Sequence, residues 1–297
     1  MRVIGVVTAR MGSTRVPGKS MLPINNVPLI IHVLNLVKKI GGIDQICLAT
    51  SNLTIDNVLE EAAVSIGVPV FRGSPDNVLD RIYECAKTYN ADIVVDVGGD
   101  CPLLDPAVIE QALSEYLLSP CDYMCNYDPP TFPEGLDINI CSMEALRLAY
   151  ERAVAPSQRI HPFSYITVHK EDFNIKNYVM SPDLSELHWS LDFPEDVEFV
   201  TQVYSRLSDE GREVSIKNIL DLIMADNAIR TLNEGLKRPK VTHAFWNSPG
   251  IIDDMNNDIA AMCESAKQAI KDKEYTVASK FYKEISYIAR ELWNGSK

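Results

Sequence analysis

Short apolar runs alternate with longer segments of helical spacing over the first third of the chain. Runs of this length are typical of buried strands, and they predict strands over 2–9, 45–51, 68–73 and 91–100. Between them, apolar residues recur every three or four positions, which predicts helices over 27–40, 56–66 and 76–90. This alternation predicts an α/β fold, with a mostly parallel sheet and helices on both of its faces.

The pattern changes after the fourth strand-like run. A helix is predicted over 106–118, and the proline-interrupted stretch 121–142 favours an antiparallel excursion from the sheet. Beyond this stretch, the spacing of apolar residues predicts helices over 143–153, 194–207 and 215–232, and strands over 173–180 and 187–193.

The C-terminal part has helical spacing throughout. After an aperiodic connection over 233–247, Ser248 is a suitable helix cap, with Pro249 in the first turn, and a second periodic segment spans 275–293. This two-helix hairpin resembles one tetratricopeptide unit, but there is no second copy, which favours a helical cap on the core or on a second subunit. We therefore expect a main domain over 1–240 and a hairpin appendage over 241–297.

Charge and composition exclude several classes of protein. The net charge of -13 argues against general nucleic-acid binding, and no apolar run approaches the roughly 18 residues of a membrane helix. The seven cysteines form no CxxC pair, so neither a disulfide framework nor a zinc ribbon is indicated. Because the chain begins with a strand-like segment rather than an apolar signal region, we expect a cytoplasmic protein with no membrane partner.

Residues 8–21, TARMGSTRVPGKSM, stand out in this acidic chain because they concentrate cations after a buried strand. Glycine lets backbone amides approach an anion, and Arg10, Arg15 and Lys19 supply positive charge, so the loop predicts phosphate binding. Its spacing is neither that of a Walker A loop nor GxGxxG. A basic surface turn is the alternative interpretation.

The string ARMGSTRVPGK resembles the signature of cytidylyltransferases that make CMP-activated sugars. These include the CMP-Kdo and CMP-acylneuraminate synthetases and a spore-coat polysaccharide branch, and the resemblance covers about the first 235 residues. It implies a Rossmann-like nucleotidyltransferase fold, a three-layer sandwich to which the hairpin is added. In this family the loop wraps the triphosphate of CTP, which would involve Ala9, Arg10, Met11, Gly12, Ser13, Arg15 and Lys19.

Two further segments resemble the nucleotide side of the family. LATS, residues 48–51, would place Thr50 and Ser51 beside the nucleotide base, although a helix cap before Asp56 is an equal alternative. FRGSPDNVLDR, residues 71–81, would border the nucleotide through Arg72, Gly73, Ser74 and Arg81. The alternative for Arg81 is a solvated helix face.

The resemblance also implies a Mg²⁺ site. VGGDCPLLDP, residues 97–106, would place Gly99 at the nucleotide and Asp100 on the metal, and Asp192 in HWSLDFPEDVEFV would complete the site. Mg²⁺ takes one or two carboxylates together with phosphate oxygens and waters, which suits this pair. Asp100 capping a turn is the alternative, and Asp105 before Pro106 is predicted to cap a helix.

Two segments resemble the acceptor side. PEGLDINI, residues 133–140, implies that Glu134 and Asp137 contact the acceptor. QRIHPFSYI, residues 158–166, matches a family pattern only in part: Arg159, His161 and Tyr165 fit, but Ile160 replaces the usual acidic residue. This departure puts the identity of the acceptor in doubt, and His161 taken alone would more often be structural.

The resemblance implies Mg²⁺-dependent transfer of CMP from CTP to an acidic sugar or related anionic acceptor, for surface polysaccharide synthesis. Pyrophosphate would leave, Arg10, Lys19, Asp100 and Asp192 would carry the chemistry, and the enzyme would be a homodimer. Three alternatives stay open: a glycosyltransferase of the same fold, CTP-dependent activation of a phosphonate or phospho-alcohol, and a non-catalytic nucleotide-binding regulator.

Overall fold

A seven-stranded sheet forms the centre of the computed structural model, which describes residues 1–13, 15–233 and 249–295. In chain order the strands are β1 (Val3–Thr8), β2 (Pro23–Ile24), β3 (Val27–Pro28), β4 (Gln45–Ser51), β5 (Val70–Gly73), β6 (Ile93–Gly98), β7 (Tyr123–Cys125), β8 (Asn139–Ser142) and β9 (Ile175–Asn177). The small β2–β3 pair is separate, and the main sheet has the order β5-β4-β1-β6-β8-β7-β9.

The first four strands of the main sheet are parallel, as the alternation of elements predicts. Strand β8 runs antiparallel to both β6 and β7, which confirms the predicted excursion. Thr8 and Gly98 are paired in register at the ends of β1 and β6. The loops that follow these two strands therefore leave the sheet side by side, at the edge where parallel α/β sheets bind ligands.

Twelve α-helices lie in the described ranges, and most match predicted ones. They are α1 (Leu29–Val37), α2 (Asn57–Ser65), α3 (Val78–Thr88), α4 (Pro106–Leu118), α5 (Met143–Arg152), α6 (Pro156–Ile160), α7 (Ser164–Val168), α8 (Pro194–Asp209), α9 (Ile216–Ala225), α10 (Asn227–Arg230), α11 (Pro249–Lys271) and α12 (Tyr275–Gly295). The helix predicted over 215–232 is divided at Asp226, whose carboxylate caps α10. The predicted cap of α4 is confirmed, since Asp105 Oδ1 accepts the Ala107 amide at 3.0 Å.

Alternate residues of the central strands pack on opposite helical layers. Val3 and Val7 of β1 join the cluster formed with α1, α2 and α4, whereas Ile4 and Val6 join the cluster formed with α3 and α5. This period of two is expected of a sheet buried on both faces. The three-layer α/β sandwich is therefore confirmed.

The strand predicted over 187–193 is wrong. Trp189 and Leu191 are buried, which produces the alternation of a strand, but their amides do not join a ladder. The Trp189 amide donates to Glu134 O at 2.7 Å, and the Leu191 amide donates to Asp100 O at 2.9 Å. The segment is thus extended, and its amides bond to two different loops of the main domain instead of to a strand. Of the strand predicted over 173–180, only β9 forms.

The C-terminal hairpin, formed by α11 and α12, packs on the short helices α6 and α7. Met255, Met262 and Ile288 form one apolar cluster with Ala155 and Val168. The predicted cap Ser248 lies outside the described residues. Within the described ranges, no helix has the length and apolar character needed to cross a membrane.

Candidate active site

The loops after β1 and β6 are in direct contact at the carboxyl edge of the sheet. The Gly99 amide donates to Thr8 O at 2.8 Å. A Cβ atom on Gly99 would lie 2.7 Å from the Ala9 Cβ, so only glycine allows the two backbones to come this close. The cationic loop and Asp100 are thereby brought to the same place.

A group that we call the lysine cluster forms there from Arg15, Lys19, Asp100 and Asp192. The Lys19 ammonium lies 2.6 Å from Asp100 Oδ2, 3.4 Å from Asp192 Oδ1 and 3.0 Å from Leu191 O. Burial lowers the pKa of Lys19, but the charges and hydrogen bonds of both carboxylates outweigh burial and raise it. One ammonium group is therefore held between two carboxylates that are 92 residues apart in sequence.

Asp192 is fixed from several directions. Asp196 Oδ2 accepts the Asp192 amide at 2.9 Å, and Arg15 donates to Asp192 Oδ1 at 2.9 Å while its guanidinium lies over the Phe193 ring. Burial raises the pKa of Asp192, but the His188 imidazole, whose Nε2 lies 3.7 Å from Asp192 Oδ2, and the Lys19 charge outweigh burial and hold the pKa well below its usual range. Asp192 is thus an ionised carboxylate at any physiological pH.

Sequence reasoning missed His188 and Ser190. His188 Nδ1 lies 2.7 Å from Glu134 Oε2, and Ser190 Oγ lies 2.9 Å from His188 Nε2 and 2.7 Å from Asp192 Oδ2. We call Glu134, His188 and Ser190 the histidine bracket. Its signal in the sequence was the alternation of HWSLD, because burial of Trp189 and Leu191 turns residues 188, 190 and 192 to the other side.

Gly135 brings the two halves of the histidine bracket together. Its φ of +99° is unfavourable for other residues, and a Cβ atom there would lie 2.7 Å from the Trp189 carbonyl carbon. The loop that carries Glu134 can therefore contact the 188–192 segment only if this position is glycine.

Two further carboxylates lie near the cluster. Asp137 is exposed to solvent and lies near the charges of Glu134, Asp100 and Asp192. Asp96, in β6, is buried with its Oδ1 unpaired, and burial raises its pKa to about 7. This side of the site is strongly acidic.

A family model described as cytidylyltransferase matches residues 4–202, a range that includes the lysine cluster and the histidine bracket. The chain belongs to the cytidylyltransferase family. It is a nucleotidyltransferase enzyme, and its three-layer α/β sandwich matches the solved structure of a cytidylyltransferase.

Relatives of this cytidylyltransferase bear out the assignment. The spore coat polysaccharide biosynthesis protein SpsF of Bacillus subtilis is 26% identical over 234 residues, covering 74% of this chain and 93% of that protein. The 3-deoxy-manno-octulosonate cytidylyltransferase of Trichlorobacter lovleyi is 35% identical over 122 residues, covering 40% of this chain and 47% of that protein. The solved structure of a cytidylyltransferase from Leptospira borgpetersenii is 31% identical with a TM-score of 0.75, covering 80% of this chain and 100% of that chain.

The donor set of this cytidylyltransferase fits a divalent cation. Asp100 and Asp192 direct carboxylate oxygens at one point, where the Lys19 ammonium acts as a stand-in cation. Oxygen ligands from one or two carboxylates are what Mg²⁺ takes when phosphates supply the rest. Turn capping by Asp100, the alternative from sequence, does not account for its contact with Lys19.

The loop residues predicted to hold the triphosphate line the same edge. Arg10 donates to Pro75 O at 3.0 Å, and the Met11 amide donates to Asp56 Oδ1 at 2.7 Å. Ser13 Oγ accepts the Val16 amide at 3.4 Å, and a Cβ atom on Gly12 would meet only Arg10 Cδ, at 3.9 Å. The loop is anchored at its start, and space is left beside Gly12.

The predicted nucleotide-binding residues of β4, of the segment around β5 and of α3 hold neighbouring loops. Ser51 Oγ donates to Asp56, Arg72 Nε donates to Ser51 O at 2.6 Å, and Arg81 Nη1 donates to Ser74 O at 2.9 Å. Arg81 is only 2% exposed, so the solvated helix face considered for it is wrong. Buried polar atoms without a partner in the described part of the chain are Thr50 Oγ1, Arg81 Nε and Asp96 Oδ1. Nucleotide contact by these residues and by Gly73 stays a prediction.

The acceptor residues predicted in 158–166 lie at the hairpin instead of the lysine cluster. Arg159 donates to Tyr150 O at 3.0 Å and to Ala153 O, and His161 Nε2 lies 3.4 Å from Asp254 Oδ2. Tyr165 is buried and stacks on His169 with ring centroids 4.0 Å apart. The acceptor role of Arg159, His161 and Tyr165 stays a prediction, whereas Glu134 and Asp137 do lie beside the cluster.

Proposed function

We propose that this cytidylyltransferase transfers CMP from CTP to an oxygen of a sugar-type acceptor in a Mg²⁺-dependent reaction that releases pyrophosphate. The observation that carries the proposal is the lysine cluster, in which Asp100 and Asp192 enclose one cation beside a basic loop. The names of relatives support the donor and the class of acceptor, since one acts as a 3-deoxy-manno-octulosonate cytidylyltransferase.

Asp100 and Asp192 would hold the metal, which supplies charge neutralisation at the phosphates when bound. Arg10, Arg15 and Lys19 would contact the triphosphate and stabilise the charge that develops on the leaving pyrophosphate. Since Lys19 now pairs with both carboxylates, we infer that it moves onto a phosphate when nucleotide binds.

The acceptor oxygen would attack the α-phosphorus in line. The new bond joins that oxygen to phosphorus, and the bond between the α-phosphorus and the oxygen bridging to the β-phosphate breaks. Pyrophosphate leaves with the electron pair, and the hydroxyl proton of the acceptor passes to water. Such a reaction depends on positioning and charge rather than on an enzyme nucleophile.

Glu134 and Asp137 would bind the acceptor, because their carboxylates can accept hydrogen bonds from its hydroxyl groups. An acidic sugar as acceptor is supported by the name of the 3-deoxy-manno-octulosonate cytidylyltransferase relative. The name of the Bacillus relative supports a place in surface polysaccharide synthesis. The proposal also includes a homodimer, which the family implies, and a cytoplasmic location, which suits the free cysteines of the described ranges.

Pyrophosphate release tests the proposal. The protein is incubated with Mg²⁺, each of the four nucleoside triphosphates, and pools of acidic sugars, sugar phosphates, sugar nucleotides and phosphonates. We expect release with CTP alone, abolished by Asp100→Asn and retained by Asp183→Asn, a matched change at an exposed aspartate. If none of the four triphosphates gives pyrophosphate and none of them binds, the proposal is overturned. Binding of CTP with no turnover in any pool would instead favour the non-catalytic nucleotide-binding regulator.

A further inference from the structure

The imidazole of His188 lies between two carboxylates of different segments. Its Nδ1 is 2.7 Å from Glu134 Oε2, and its Nε2 is 3.7 Å from Asp192 Oδ2, with Ser190 Oγ bridging the longer gap. The side chain is 10% exposed, and its backbone carbonyl accepts Asn233 Nδ2 at 2.8 Å. The ring is therefore held in place from both of its edges and from the main chain.

The chemistry of the groups in the histidine bracket determines which of them donate hydrogen bonds. A carboxylate only accepts, so Nδ1 must donate to Glu134, and the single Ser190 hydrogen is required by Asp192 Oδ2. Ser190 Oγ also lies 2.9 Å from His188 Nε2, so the chain of hydrogen bonds runs from Glu134 through His188 and Ser190 to Asp192.

The same three residues could instead be viewed as a chelating site, since Glu134, His188 and Asp192 offer ligand atoms within 4.8 Å of one another. Their geometry does not favour this. Glu134 faces one ring nitrogen and Asp192 faces the other, and the two nitrogens of an imidazole point away from each other. The carboxylates thus bind opposite edges of the ring rather than converge on one cation.

The bracket also distinguishes the two oxygens of Asp192. Oδ2 is occupied by Ser190, whereas Oδ1 faces Lys19 and Arg15, on the side where Asp100 lies. Groups that orient a metal ligand in this way commonly contribute 10–100-fold to metal affinity.

We propose that His188 is a positioning residue: supported by Glu134, it fixes Asp192 through Ser190 so that Oδ1 is presented to the cation. The proposal rests on the proposed function, because it takes Asp192 as a metal ligand. The same contacts would link the proposed acceptor segment, residues 133–140, to Asp192, because Glu134 belongs to that segment and also bonds to His188.

The test uses the full chain with CTP and Mn²⁺ as a spectroscopic probe, and free Mn²⁺ is measured by electron paramagnetic resonance. His188→Ala is compared with His169→Ala, a histidine that also pairs with a carboxylate, Glu284, but lies at the hairpin. Ser190→Ala is the milder variant, in case His188→Ala does not fold. We expect a loss of CTP-dependent Mn²⁺ affinity of about 10-fold or more in His188→Ala, a change in the same direction in Ser190→Ala, and none in folded His169→Ala.

Pulsed spectra of bound Mn²⁺ separate positioning from ligation. The proposal expects no histidine nitrogen coupling in the wild type, and a coupling that His188→Ala removes would overturn it in favour of a chelating site. Unchanged Mn²⁺ affinity in folded His188→Ala and Ser190→Ala would overturn it as well. A wild type without any CTP-dependent Mn²⁺ binding would instead overturn the proposed function, and this inference with it.

Discussion

The Lys19 ammonium lies 2.6 Å from Asp100 Oδ2 and 3.4 Å from Asp192 Oδ1, so one lysine pairs with both carboxylates of the proposed metal site. Lys19 is only 13% exposed, and the loop that carries it is the one expected to bind triphosphate. Under the proposed function, lysine and metal would compete for the same oxygens until phosphates offer the ammonium another partner.

This competition predicts that metal and nucleotide bind together. We expect Lys19→Met to raise the affinity for Mn²⁺ alone by about 10-fold or more, equal to about 1.4 kcal/mol, while weakening CTP binding. Lys39→Met, which removes an exposed lysine paired with Glu213, is the control and should change neither. Titration of Mn²⁺ with and without CTP measures both effects. Equal Mn²⁺ affinity of wild type and Lys19→Met in the absence of CTP would contradict the competition.

The hairpin is attached to the main domain by buried polar groups as well as apolar ones. Glu284 is 5% exposed, accepts Gln158 Nε2 at 2.5 Å and lies 3.2 Å from His169 Nε2. Glu284→Ala would leave both partners buried and unpaired, so we expect a loss of roughly 2 to 4 kcal/mol in the free energy of unfolding. Glu264→Ala, at an exposed glutamate of the same hairpin, should cost little. Urea denaturation of both variants makes the comparison, and equal losses would count against this attachment.

Asp96 makes stability depend on pH. Its pKa is about 7 in the folded protein against an ordinary 3.8, so between these values the folded state holds a proton that the unfolded state has lost. The free energy of unfolding therefore falls as pH rises from 4 to 7. Asp96→Asn should remove this loss, stabilising the protein at pH 8 by up to about 4 kcal/mol and hardly at all at pH 4. Thermal denaturation at the two pH values tests this, and the same difference at both would show that the carboxyl is not the cause.

Gly135 allows the close contact between the Glu134 loop and the 188–192 segment. Gly135→Ala combines an unfavourable φ with a clash against Trp189, and we expect a loss of about 2 to 5 kcal/mol. Gly211→Ala separates the two causes, since Gly211 also has positive φ but a Cβ there would meet nothing within 4 Å. Its loss should be about 1 to 2 kcal/mol. Similar losses for the two variants in denaturation experiments would refute a clash at position 135.

Much of the fold could be predicted because local periodicity and global topology agree. Buried parallel strands are short apolar runs, and β1, β4, β5 and β6 are each preceded or followed by amphipathic helices that fix the crossover pattern. The cationic loop and Asp100 were predictable because strand ends meet at one edge of such a sheet.

The rest depends on contacts between distant segments that local patterns do not encode. HWSLD has the alternation of a strand, yet its amides bond to Glu134 and Asp100, so the pattern reports burial and one isolated bridge to Glu134 rather than a strand ladder. His188 was missed because only the fold brings Glu134 to it. Arg159, His161 and Tyr165 were assigned by resemblance, and a helical hairpin packed beside them could not be foreseen from their spacing.

Calorimetric titration of the full chain with CTP, in the presence and absence of Mg²⁺, tests whether the lysine cluster binds nucleotide together with a cation. We expect that CTP binds more tightly than UTP, GTP or ATP, that binding requires Mg²⁺, and that Asp100→Asn weakens it by about 10-fold or more while Asp183→Asn does not. Equal binding of CTP by wild type and Asp100→Asn, with and without Mg²⁺, would contradict the claim that the lysine cluster is the cation and nucleotide site.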